Sequence, residues 1–331
     1  MLKRAAKRLL PKAVLGPATA CLSFYRRWSW IAQTRIKMGT PETLLHFGIA
    51  PGDDLLCTVV LRELTKRGHK KLWMMSKYSD LFENNTDADH IVPLDDRFKD
   101  YVSVMGKKWQ FLEYSPIDKE KDMSLPPKRH IIAELCQRAG VQGEITVRPY
   151  FYLRDEEREK AAWARGAVAV QSSGLGGQMQ MRNKQWFPER FQELVNQLNG
   201  NLKFVQVGSA GDPLLAGAAD LRGKTKIRET AAVLANCRLF IGNVGFLMHL
   251  ARAVECPSVI IFGGREAPWQ SGYSCNVNLH SALPCSPCWL WNRCDYGRAC
   301  MDMITVDGVI EAIKTQLEKP RGNLVIDTAV I

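Results

Sequence analysis

The sequence predicts an α/β protein: two Rossmann-like domains whose parallel sheets face a central cleft, preceded by a basic N-terminal extension. Three observations predict this. Short apolar runs of strand length alternate with segments of helical period, the pattern of βαβ units and parallel sheets. The alternation comes in two sets, 43–165 and 166–331, and 331 residues suffice for two cores of roughly 150 residues each. The basic excess lies almost wholly at the start: residues 1–41 hold nine Lys/Arg and no acid, whereas the rest carries 36 basic against 34 acidic residues.

The first element is the extension, 1–42. Leu2, Ala5, Ala6, Leu9 and Leu10 recur at helical spacing among Lys3, Arg4, Lys7 and Arg8, and Pro11 stops or kinks that helix. Arg26, Arg27, Trp28 and Trp30 form an aromatic-basic cluster suited to a headgroup region. Peripheral attachment to an anionic membrane surface through residues 1–40 is the expected role. A signal peptide competes with it, but Gly16 and Pro17 interrupt the apolar stretch 13–25. No run reaches the roughly 20 apolar residues of a membrane span. With 46% apolar and 24% charged residues, disorder and fibrous classes are excluded. The nearly neutral body does not call for nucleic acid as a partner.

In the first set, strands are expected at 44–47, 71–76, 90–94 and 109–114. The tight loop 48–52 leads into a helix over 54–67, with Leu56, Val60 and Leu64 on one face. Residues 115–128, polar and Pro-rich, read as a mobile loop. A helix over 129–138, an extended stretch over 146–154 and a charged helix over 155–165 complete the set. In the second, strands are expected at 167–172, 202–207, 238–241 and 258–262. Helices are expected at 188–198, from a Thr225 cap to about 235, and at 245–254. Ligands of open α/β sheets bind beyond the carboxyl ends of the strands. Chemistry is therefore sought in loops 48–54, 172–186, 208–212, 242–248 and 263–270.

Four segments narrow the class. They are GDDLLCTVVLREL (52–64), KQWFPERFQEL (184–194), LRGKT (221–225) and GNVGFLMHLA (242–251), the last followed by PSVIIFG (257–263). In this order and spacing, over about residues 43–315, the chain resembles the heptosyltransferase-like glycosyltransferases of family 9. The resemblance implies a GT-B fold, acceptor side first and nucleotide-sugar side second. It implies an inverting transfer that requires no cofactor or metal, from a donor such as ADP-heptose to a lipopolysaccharide or other surface-glycan acceptor. It also implies a cytoplasmic place, peripheral on the inner face of the cytoplasmic membrane.

An inverting transfer needs a base for the acceptor hydroxyl, and Asp53 matches the family's catalytic Asp. The position also suits a helix cap. Asp54 reads as a first-turn acid favoured by the helix dipole. Lys184 matches the Lys that meets the donor phosphates, although a solvated surface Lys is the plainer reading. Trp186 and Pro188 read as structural. Ser172 and Ser173, at a strand end, are expected to add phosphate hydrogen bonds, and Thr225 is counted with the donor side. Backbone N–H groups of Gly245, Phe246 and Leu247 are expected to face the diphosphate at a helix start, with His249 one turn in. Here the chain departs from the family: Val244 stands where relatives carry a donor-site Asp. Glu266, in GGREAPW (263–269), is the expected substitute, and Arg265 beside it suits a phosphate or an acidic acceptor. The GLGG at 174–177 opens no helix after a first strand, so a nicotinamide-dependent dehydrogenase is disfavoured. An epimerase is set aside because neither Tyr78 nor Tyr273 is followed by Lys four residues on. The departure at Val244 leaves a second reading, a GT-B-like binding or assembly module with a degenerate donor site.

Ten cysteines complete the inventory. Six are scattered and read as small buried apolar residues. Cys285, Cys288, Cys294 and Cys300 cluster within 16 residues, with Trp289 and Trp291 between them. A structural Zn site, disulfides and free thiols all remain open for this loop.

Overall fold

The computed structural model describes residues 12–48, 50–177, 180–319 and 324–331, with side chains from residue 22 onward. The amphipathic run expected over 2–10 and stopped by Pro11 lies outside them.

Helix α1 (Lys12–Met38) runs through Gly16 and Pro17 and ends just before strand β1 (Thr43–His46). Helix α2 (Pro51–Lys66) starts with Pro in its first turn, where the missing N–H costs nothing, and carries Asp53 and Asp54 near the positive end of its dipole. Strands β2 (Leu72–Met75) and β3 (His90–Val92), helix α3 (Asp96–Val104) and strand β4 (Lys108–Phe111) follow. These four strands make one parallel sheet in the order β3-β2-β1-β4. A parallel sheet needs both faces covered. Alternate strand residues supply this: Leu45, Leu72 and Met74 face the core beneath α2, whereas Leu44, Trp73 and Met75 face Phe98, Tyr101 and Ile31. The second half of α1 is thus part of the body. Ile31 is buried, and Trp30 meets Phe98 and Tyr101 edge-on with centroids 5.2 and 6.3 Å apart. The extension of 1–42 therefore overlaps the first sheet's cover from about residue 30.

The stretch 115–128, read as a mobile loop, instead holds an antiparallel hairpin, β5 (Ile117–Asp118) with β6 (Met123–Ser124). It is ordered because it docks on the Cys-rich loop, with Met123 bridged to Leu290. That contact joins residues far apart in sequence, so local composition could not reveal it. Helix α4 (Ile131–Arg138), capped by His130, strand β7 (Glu144–Val147) and the short helix α5 (Asp155–Lys160) close the first half.

The second sheet has six parallel strands. In chain order these elements are β8 (Val168–Val170), α6 (Pro188–Leu198), β9 (Phe204–Gln206), β10 (Ala218–Asp220), α7 (Ile227–Asn236), β11 (Leu239–Asn243), α8 (Phe246–Ala253), β12 (Ser258–Gly263), α9 (Pro268–Ser271) and β13 (Val277–His280). The order is β10-β9-β8-β11-β12-β13, the 3-2-1-4-5-6 arrangement of a doubly wound sheet. Strands β10 and β13, at the edges, carry no continuous apolar run and escaped the sequence reading. Helix α7 is capped at Lys226, one residue past the expected Thr225, whose hydroxyl instead meets that of Thr230 at 2.8 Å. Short α10 (Ala299–Asp302) and long α11 (Val306–Glu318) cover the second sheet. Strand β14 (Asp327–Val330) then returns to the first half and pairs antiparallel with β7. Among the described residues no helix is long and apolar enough to cross a membrane.

Candidate active site

Both sheets reverse strand order at a switch point, between β1 and β4 in the first and between β8 and β11 in the second. Crevices open at such points, beyond the carboxyl ends of the strands. The two crevices face each other across one cleft of about 430 Å³. From the first half, Asp53, Tyr114 and Ser124 line it; from the second, Lys184, Val244 and Arg265 do so. The halves touch at its floor, where a Cβ on Gly52 would lie 3.5 Å from the Cα of Phe246.

Asp53 and Asp54 are adjacent but differ in setting. Gly48, at φ 73°, takes the left-handed turn that a side chain would resist, and its N–H donates to Asp54 at 2.8 Å. The Ser76 hydroxyl donates to the other Asp54 oxygen. Asp54 is fully buried and braces the β1–α2 loop, a larger role than a dipole-favoured acid. Asp53 lines the cleft and accepts from the Tyr114 hydroxyl at 3.1 Å. Loss of water pushes its carboxyl up to about 7, with the nearby Asp54 adding to the rise; Tyr114, Lys184 and the Ala50 backbone oppose it. A carboxylate poised near neutrality is suited to accepting a proton. Tyr114 was read only as the end of the strand expected at 109–114, with no role in the site. Its only signal was its place just past a strand end at the switch point.

Lys184 lies in a short 3-10 turn, Arg182–Lys184, between β8 and α6. Its ammonium lies 2.6 Å from Glu266, and it also lines the cleft. Glu266 is buried, pairs with Arg265 as well, and accepts from Ser271 at 2.7 Å. Burial raises its pKa, but Lys184 and Arg265 prevail and hold it at about 2. The acid expected to stand in for the one missing at Val244 thus meets Lys184. Its oxygens are occupied by side chains of the protein itself, so it orients the Lys. Val244 is buried and lines the cleft nearby.

Gly245, Phe246 and Leu247 line the cleft where α8 begins, and so does Thr225. His249 lines it too, with its Nδ1 2.7 Å from the Tyr273 hydroxyl. Burial pushes its pKa down to about 3, so it is a neutral imidazole near pH 7. Two expectations need correction. Ser172 is fully buried, donates to the Pro213 carbonyl at 2.6 Å and accepts from Gln206. Ser173 is buried and accepts from the Leu175 N–H at 3.0 Å. Both brace the loop after β8, because a strand-end hydroxyl that turns inward satisfies loop backbone before it can reach a ligand. Trp186 is structural, as expected, donating to the Ile304 carbonyl at 2.9 Å.

The Cys-rich loop contributes Trp289 to the cleft wall, beneath Arg265 with 4.8 Å between guanidinium carbon and ring centroid. Cys285, Cys288, Cys294 and Cys300 are free thiols. Four thiols suit a soft ion, but burial pushes the Cys288 and Cys300 thiols up, away from the thiolate a metal binds. Among the described residues, no three His, Cys, Asp or Glu side chains are placed together as a metal-ligand group.

The cleft can be set beside known proteins. Residues 139–291 match glycosyltransferase family 9 (heptosyltransferase). No curated protein sequence matches the chain. The E. coli ADP-heptose lipopolysaccharide heptosyltransferase II superposes with a TM-score of 0.62 at 15% identity, over 83% of this chain and 98% of that one. A glycosyltransferase of family 9 from Veillonella parvula gives 0.62 at 15% identity, over 83% and 96%. The iron-containing dodecameric glycosyltransferase TibC from enterotoxigenic E. coli gives 0.61 at 18% identity, over 84% and 76%. These likenesses establish the GT-B fold. Together with the family match, fold and cleft make the chain similar to glycosyltransferases of the GT-B class. Within that class the similarity is to heptosyltransferases, through the family-9 match in residues 139–291.

Proposed function

We propose that this protein is an inverting glycosyltransferase that moves a sugar from a nucleoside-diphosphate donor of the ADP-heptose kind to a hydroxyl of lipopolysaccharide or another surface glycan. The observation that carries the reading is Asp53 and Lys184 lining one cleft from opposite halves. The acceptor oxygen attacks the anomeric carbon and gives its proton to Asp53. The bond from that carbon to the diphosphate oxygen breaks, and its electron pair leaves with the diphosphate. Lys184 and the backbone N–H groups at the start of α8 receive the developing charge. That charge supply supports a transfer needing no metal. Donor identity is supported by two relatives: the E. coli protein is named for ADP-heptose, and TibC was solved with ADP-D-beta-D-heptose.

The module reading rests on Val244. It is weakened by Glu266, which partners Lys184 without the missing Asp. A thermal-shift screen of nucleotide sugars followed by a transfer assay separates the two. A ligand present at 100 Kd adds about 2.7 kcal/mol. A donor that both stabilises and transfers supports the enzyme; stabilisation without transfer to any acceptor supports the module.

Two accessory roles belong to the same reading. Phe24, Tyr25 and Trp28 are exposed on α1 beside Arg26 and Arg27, which suits an anionic interface on the inner face of the cytoplasmic membrane. Zinc in the 285–300 loop would require its thiols to rotate together. Elemental analysis of reduced protein tests it: about one zinc per chain supports the site, and a metal-free sample with four titratable thiols rejects it.

A further inference from the structure

The hairpin β5–β6 and the Cys-rich loop are joined by a compact set of hydrogen bonds. Asp122 makes most of them. Its carbonyl accepts from Trp291 N–H at 2.8 Å, and one carboxylate oxygen accepts from Asn292 N–H at 2.8 Å and Arg293 N–H at 2.7 Å. Ser124 N–H donates to the Trp289 carbonyl at 3.1 Å, and the Trp291 indole donates to the Ser124 hydroxyl at 2.9 Å. Asp122 takes the left-handed conformation at φ 52°, which Asp tolerates better than most side chains.

The other side of the same loop holds the turn that carries Lys184. Asn183 N–H donates to the Trp291 carbonyl at 2.9 Å, and its side-chain amide donates to the Arg293 carbonyl at 2.8 Å. Arg182 N–H donates to the Asn292 side chain at 2.9 Å. The peptide unit between Trp291 and Asn292 therefore donates to the Asp122 carboxylate and accepts from Asn183. A carboxylate on the N–H of a peptide polarises its carbonyl and strengthens the next bond in the chain.

On the first half, the hairpin hangs from the segment that carries Tyr114. Ser115 donates to the Leu125 carbonyl at 2.5 Å, and Leu125 N–H to the Pro116 carbonyl at 2.9 Å. Tyr114, next to Ser115, donates to Asp53. A strap thus runs from the Asp53 side of the cleft, through Asp122 and the Cys-rich loop, to Lys184.

We infer that Asp122 is a positioning residue: it ties the turn of Lys184 to the segment of Tyr114 and so sets the two sides of the active site at one spacing. It touches neither donor nor acceptor. It acts through the 289–293 backbone.

The test compares Asp122→Ala and Asp122→Asn with the wild type in the full chain, by hydrogen exchange, ADP binding and transfer. Asp122→Asn keeps an acceptor oxygen without the charge. Lys121→Ala, whose ammonium pairs with Asp118 in the same turn, is the control. In Asp122→Ala, exchange at 182–184 should quicken about tenfold or more while the strands of the second sheet stay protected. Transfer should fall about ten- to a hundredfold, with ADP affinity weakened much less, the signature of a misplaced rather than missing group. Asp122→Asn should recover most of both, and Lys121→Ala should match the wild type. Protection at 182–184 unchanged in both Asp122 variants overturns the inference, as does transfer equal to wild type in Asp122→Ala. If Asp122→Ala fails to fold, Asp122→Gly, which suits the left-handed backbone and lacks the carboxylate, takes its place: quickened exchange at 182–184 supports the inference and unchanged protection overturns it. The transfer readout rests on the glycosyltransferase reading and the exchange readout does not, so a wild type inactive on every donor counts against that reading while exchange still judges the strap.

Discussion

Asp53 and Asp54 differ by one position and by their partners, and the difference assigns their roles. Asp53 holds its proton up to about pH 7 in the fold, whereas an unfolded Asp loses it near 4. Between those values the folded state binds one proton more, so stability falls as pH rises through this window. Asp53→Asn removes that dependence. Relative to the wild type it should gain on the order of 2 kcal/mol between pH 5 and pH 8, read from denaturant midpoints. The same variant should lose transfer by about 10²–10⁴-fold while still binding nucleotide, because it keeps the shape and removes the proton acceptor. Unchanged turnover would reject Asp53 as the base. In the wild type, transfer should rise with pH to a plateau above about 7. Lys184→Ala should weaken nucleoside diphosphate binding about ten- to hundredfold, since a charge-assisted bond contributes roughly 1.5–3 kcal/mol. Equal binding by that variant would make Lys184 a purely structural partner of Glu266. Val244→Asp would put an unpaired carboxylate into the cleft near the donor diphosphate, and should lower donor affinity by charge repulsion; a clear gain in transfer would instead mark the native protein as a weakened heptosyltransferase.

At the scale of elements, the strand–helix alternation was legible because a buried parallel strand and an amphipathic helix each declare themselves within a few residues. Helix α6 spans 188–198 as read from the spacing of Phe191, Leu194, Val195 and Leu198. The misread elements were those whose order comes from remote contacts: the hairpin at 117–124, edge strands β10 and β13, and the C-terminal half of α1. The last changes what truncation should do. Removing residues 1–21 should leave the melting temperature near that of the wild type. Removing 1–40 strips Ile31 and Trp30 from Leu44, Trp73 and Tyr101 and should cost about 2–5 kcal/mol, comparable to emptying a core site. Equal melting of the two truncations would show that α1 does not cover the sheet. Vesicle binding should drop in the shorter truncation and fall with salt, because screening weakens exposed charges.

At the scale of the molecule, two sheets with the same 3-2-1-4 start place two switch points face to face, with the cleft between them. The cleft's closure should therefore be linked to ligand. Saturating ADP should slow hydrogen exchange on both of its sides, at 50–53 and at 182–184 together, and protection of one side alone would argue against a shared site. The sequence by itself determined the α/β class, the two sets of elements and the strand-end loops that line the cleft, and Asp53 and Lys184 were singled out within them by the family resemblance. Those features are written in local period, turn chemistry and short motifs. Only the tertiary structure decided that Ser172 and Ser173 turn inward, that Tyr114 holds Asp53, that Glu266 meets Lys184, and that Asp122 grips the Cys-rich loop. Tyr114 and Asp53 are 61 residues apart, and Asp122 and Asn292 are 170 apart. A hydrogen bond over such separations is set by how sheets and loops pack, and no pattern of neighbouring residues records it.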